Sequence, residues 1–151
     1  MGQQQLLLLV LGIVIVGLAV VVGIQAFTEN MKKSNSDALV NDAIRIASDA
    51  QAWKLKPAAF GGGADVTGWT GFTLEQVGYS TEDGDNGDCA AGEYGNLNGC
   101  FTVAAGAANV VITAVSLPDS DNDNQAVVTV TGTTPADIST AVSTVDDASG
   151  S

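Results

Sequence analysis

Leu6-Leu7-Leu8-Leu9-Val10-Leu11-Gly12-Ile13-Val14-Ile15-Val16-Gly17-Leu18-Ala19-Val20-Val21-Val22-Gly23-Ile24 contains no charge and no strongly polar side chain. As an α-helix these nineteen residues span roughly 28 Å at ~1.5 Å per residue, about one hydrocarbon thickness of a bilayer. The charge-free run goes on to Glu29, with Gln25 as its interruption. The stretch 6–27 therefore reads as a helix that spans a membrane at some stage. Leu6, Leu9, Ile13, Val16, Leu18, Val21 and Ile24 spread apolar surface around it, so no side of it suits water.

Two ordinary explanations of such a run fit poorly. A cleaved secretory signal has a basic start, a shorter apolar stretch and a small-residue cleavage site, but Met1-Gly2-Gln3-Gln4-Gln5 is uncharged. A plain anchor fits the length. The basic residues that follow it, however, would hold the rest of the chain in the cytoplasm. The sequence after the run removes the conflict. Leu39, Ala43, Ile46, Ala47, Ala50 and Trp53 recur at spacings of three and four, while Asp37, Asp42, Arg45, Asp49 and Lys56 fall largely off that stripe. The helix thus continues as an amphipathic element over 36–56, with the cations on its polar face. Pro57 and Gly61-Gly62-Gly63 end it. One helix of about fifty residues, roughly 75 Å long, is expected over 1–56.

The chain has 151 residues and a formal net charge of −12, enough for this helix and one modest domain. All five cations, Lys32, Lys33, Arg45, Lys54 and Lys56, lie on the helix. From Pro57 onward there are thirteen Asp and Glu and no Lys or Arg. A domain without a cation cannot neutralise phosphates, which excludes nucleic acid as a partner. Such a surface stays soluble by repulsion and suits high salt, where the repulsion is screened. Without a single His, Ser-His-Asp triads, Cys-His pairs and His-ligated metals cannot be built. Carboxylates are plentiful, but nothing marks out a catalytic pair, so the expectation is no enzyme activity.

A short polar start, a charge-poor helix, an amphipathic continuation and then a β-rich head together resemble the type IV pilin superfamily. Gly2-Gln3-Gln4-Gln5-Leu6-Leu7 is similar to a class III leader junction, where a prepilin peptidase cuts after the Gly. Ala50-Gln51-Ala52-Trp53-Lys54-Leu55-Lys56-Pro57 before the triple glycine is similar to small bacterial pilin-like proteins. The resemblance covers about the first sixty residues. It implies cleavage after Gly2, insertion as a single-pass precursor, and polymerisation through 6–27 into an extracellular filament. The implied partners are further copies of the chain, the membrane, and a pilus assembly machinery. Bacterial members usually carry a glutamate near the start of the apolar run, where this chain has only glutamines. A membrane-anchored binding domain and a pseudopilin of a secretion system are the alternatives.

The remainder reads as a Gly-rich linker over 57–71 and an acidic head over 72–151. Strands are expected at 72–79, 101–104, 109–117 and 125–134, with an edge strand around 138–145. The fold class is α+β: a long helix, apolar then amphipathic, packed on a small antiparallel sheet. Cys89 and Cys100 bracket a loop of small and polar residues that cannot order itself by burial. In an exported chain a disulfide is the expected fastener, contributing about 3 kcal/mol on a chain-entropy basis. Asp119, Asp121 and Asp123 have the beginning of a calcium loop, but Asn124 and Val130 stand where an EF-hand needs Gly and Glu. That motif and the acidic stretch 82–88 read first as hydrated turns, with a looser calcium site as the alternative. No cofactor is expected. The three glycines after the helix read as a hinge where the chain leaves it.

Overall fold

The computed structural model describes residues 2–81, 89–117 and 124–144. One α-helix, α1, runs unbroken from Gly2 to Leu55, about 80 Å by helical rise. Its single helical span joins the apolar run to the amphipathic stripe, as the periodicity requires. Leu39, Ala43, Ile46, Ala47, Ala50 and Trp53 are all buried, so the stripe is the face on which the head is built.

That head is a five-stranded antiparallel sheet in the order β1 (Tyr94–Gly95), β2 (Gly99–Ala105), β3 (Val110–Ser116), β4 (Asn124–Val130), β5 (Ile138–Thr144). Each strand pairs with its neighbour in sequence. The register sets Phe101 opposite Ala114, Ile112 opposite Val128, and Val130 opposite Ile138. Because side chains alternate across a strand, Val110, Ile112 and Ala114 share one face with Ala126, Val128 and Val130. All six are fully buried against α1. Val111, Thr113, Val115, Val127 and Thr129 take the other face and stay half-buried. Two parallel layers with one core between them result.

Polar bonds fix how the helix lies on the sheet. Near the start of β4, Asn124 Nδ2 donates to the Lys32 carbonyl at 2.7 Å. Beyond its end, Gln51 Nε2 donates to the Gly132 and Thr134 carbonyls at 2.8 Å each. β4 therefore runs alongside α1 in the same direction. The head clasps only the second half of the helix.

One expectation needs correction. Residues 72–79 form no strand. Thr73 caps a short 3-10 helix, Leu74–Val77, in a capping box with Gln76, and Gly78 ends it at φ 90°. The apolar spacing that suggested a strand instead drops Phe72 and Leu74 into the core, where Phe72 meets Trp53 at 5.2 Å between ring centroids. The triple glycine lies where the chain leaves the helix and turns back. The Gly63 N–H donates to the Trp53 carbonyl and that of Gly62 to the Pro57 carbonyl, folding the chain back onto the helix end. A Cβ on Gly63 would lie 2.3 Å from the Trp53 ring, so this glycine is there for close approach.

Candidate functional site

Between residues 6 and 24 of α1, every Leu, Val and Ile side chain is between 51 % and 69 % exposed. Leu6, Leu9, Ile13, Val16, Leu18, Val21 and Ile24 all belong to this group, as does Phe27 further on. The head reaches none of them. This half of the helix is long and apolar enough to cross a membrane. Soluble proteins seldom leave contiguous apolar surface beyond a few hundred Å² uncovered, and larger patches mark membrane or protein contacts. Gly12, Gly17 and Gly23 have nothing within 4 Å of a Cβ position, so each offers a notch for a neighbouring helix to approach closely.

The boundary between clasped and bare helix is an asparagine cluster that periodicity did not reveal. Asp42 Oδ2 accepts from Asn96 Nδ2 at 2.9 Å and from Asn98 Nδ2 at 2.7 Å. Asn35 Nδ2 donates to the Asn98 carbonyl at 2.9 Å, and Asn35 Oδ1 accepts from Asn124. The one sequence trace of this clamp is Asn96-Leu97-Asn98-Gly99, a turn signal whose partners lie more than fifty residues away. Asn96 Oδ1 accepts from the backbone of Asn98 and Gly99, closing the turn between β1 and β2. The disulfide joins Cys89 to Cys100 across 5.6 Å between Cα atoms, inside the range disulfides require. It ties the start of this segment to the first residues of β2.

Several polar groups of the head have specific hydrogen-bond partners. Tyr79 donates its hydroxyl to Asp49 Oδ2 at 2.6 Å. Burial, and then that carboxylate, push the Tyr79 phenol well above its ordinary value of 10.0. Thr134 donates twice to Asp137 Oδ2, at 2.6 Å and 3.0 Å, which holds the Asp137 carboxyl below its ordinary 3.8. Cys89, Glu93 and Cys100 come within 4.8 Å of one another, yet both sulfurs are spent in the disulfide and offer no thiolate to a metal. Asp119, Asp121 and Asp123, with the stretch 82–88, lie outside the described residues. An open cavity of about 220 Å³ is bordered by Phe72, Leu74, Glu75, Thr81 and Val103, and Glu75 is its one ionisable group among the described residues.

The bare half of α1 is the feature of this chain that most needs a partner. No family model, no curated protein and no solved structure matches the chain.

Proposed function

We propose that this chain is the repeating subunit of an extracellular filament of the type IV pilus kind, held together by residues 6–27 of α1. The supporting observation is the division of one continuous helix into a half whose stripe the head buries and a half exposed on all sides. Before assembly the apolar half lies in the membrane with the acidic head outside. Assembly transfers it into a bundle of identical helices.

The energetics of the two environments differ sharply. Lipid is as apolar as leucine, so entry into the bundle gains little from burial and depends on packing at positions such as Gly12 and Gly23. Release into water would expose fifteen large aliphatic side chains between residues 6 and 24. At ~1.5–3 kcal/mol each, that costs on the order of tens of kcal/mol. A finished filament therefore resists dissociation, and building one calls on dedicated machinery in the membrane. The partners are further copies of the chain, the membrane and that machinery.

Negative-stain microscopy of material sheared from cells making the protein tests this reading. Long, thin filaments that bind an antibody against the head are expected. A protein that stays wholly in the membrane fraction, with no such filaments in the sheared material, would instead be an anchored surface domain or a pseudopilin.

A further inference from the structure

Apolar side chains stand exposed at both ends of the head, Leu55 at the last residue of α1 and Phe60 and Leu97 on hydrogen-bonded loops. At the end farther from the bare helix, Leu55 and Phe60 are 65 % and 73 % exposed. Phe60 stands on a loop closed by the Gly61 N–H to the Ala58 carbonyl, the Gly62 N–H to the Pro57 carbonyl and Trp53 Nε1 to the Gly61 carbonyl. At the nearer end, Leu97 is 88 % exposed, more than any other large apolar residue described. It sits between Asn96 and Asn98, both of which are bonded to Asp42. Side chains held out by rigid loops lose little freedom on docking, and this is how contact-making anchors are built.

We infer that these two ends meet in the filament, Leu97 of one copy packing against Leu55 and Phe60 of the next. This inference rests on the filament reading above, because parallel helices are what bring the near end of one head toward the far end of another. The ends are separated by the length of α1 from Asn35, which holds the Leu97 turn, to Leu55. That is about 30 Å, so the contact joins copies displaced along the filament by about one head length. Two different patches at opposite ends of the head make a heterologous contact, which repeats without closing. The small size of each patch selects the partner. A few side chains fall far below the ~800 Å² per partner that a free complex needs. Such a contact forms only between molecules already held side by side, at high effective concentration, by their helices.

Hydroxyl-radical footprinting of wild-type filaments against detergent-dispersed subunits tests the contact. Labelling of Phe60 and Leu97 should both fall several-fold in the filament. Unchanged labelling at either residue in filaments visible by microscopy overturns the contact and leaves the filament reading standing. Protection at one end alone shows a different occupant there and also overturns it. If the wild type forms no filaments, the reading beneath this inference is what has failed. As a second measurement, filaments of a Phe60→Cys, Leu97→Cys double variant are treated with a short bismaleimide, to which the native disulfide is inert. A ladder of multimers is expected from the double variant and from neither single variant. Assembled double-variant filaments that give no ladder refute the contact.

Discussion

Val16 and Leu18 lie in the middle of the bare half of α1, 62 % and 64 % exposed in the isolated subunit. In the proposed filament a lysine there would meet an apolar bundle on every side, and a helix-centre charge costs about 2.5–3.5 kcal/mol even for insertion into a membrane. Either Val16→Lys or Leu18→Lys is expected to abolish filaments in sheared material, whereas Val16→Ala should leave them. Normal filaments from either lysine variant would refute the core assignment. Tyr79 gives a prediction at the same scale. Its phenol is held neutral by burial and by Asp49, so its pKa is higher in the folded chain than in the unfolded one. The stability this gives is complete below the ordinary value of 10.0 and is lost as pH rises past it toward the folded value. Alkaline unfolding in detergent, followed by circular dichroism, should therefore show stability falling above pH 10. The fall should be shallower in Tyr79→Phe, and an identical slope would contradict it. The Cys89–Cys100 disulfide closes a short loop, and replacing both cysteines by Ser should cost about 2–4 kcal/mol in denaturant unfolding.

At the scale of elements, the helix end and the 3-10 turn carry the information that periodicity lacks. Gly63 lies against the Trp53 ring, so Gly63→Ala must displace either the ring or the loop. A loss of about 1–3 kcal/mol is expected from such overpacking, measured as a lower midpoint of urea unfolding. No change would mean that the loop yields freely. The strands β2 to β5 were legible because Val, Ile and Thr alternate over the lengths that strands take. The edge strand expected around 138–145 is there as Ile138–Thr144. The stretch 72–79 misled for a definite reason. Phe72, Leu74, Val77 and Tyr79 mix spacings of two and three, which both a strand and a tight helix can use. The capping box of Thr73 and Gln76, followed by left-handed Gly78, decided for the helix. β1 was missed because two residues leave no pattern, and its pairing of Tyr94 with Phe101 follows from the Asn96 turn.

Across the whole molecule, charge is divided more sharply than any other property. All five cations lie between Lys32 and Lys56, while residues 57–151 carry thirteen Asp and Glu and no Lys or Arg. In the proposed filament, crowded heads would repel one another, and salt would relieve the repulsion. The melting temperature of filaments should rise with NaCl over the range in which the Debye length falls from roughly 10 Å to 3 Å. A flat profile would refute the repulsion argument. Ca²⁺ should do no more than Mg²⁺, because the motif at Asp119, Asp121 and Asp123 lacks a complete ligand set. A large rise at low Ca²⁺ alone would direct mutation to those three residues.

The amino-acid sequence alone settled whatever is written in neighbouring residues. That includes the unbroken helix, its change from all-round apolar to one-sided, its stop at Pro57, and the alternation of four strands. These follow from spacings of two, three and four along one segment. Which distant groups meet was decided by the tertiary fold. Asn35, Asp42, Asn96, Asn98 and Asn124 become one clamp only when helix and sheet are stacked, and Trp69 and Phe72 become core only when the chain folds back past Gly63. The same packing leaves Phe60 and Leu97 standing outward at opposite ends of the head. A hydrogen bond or a buried ring depends on separation in space, and spacing along the chain does not encode that once the partners are fifty residues apart.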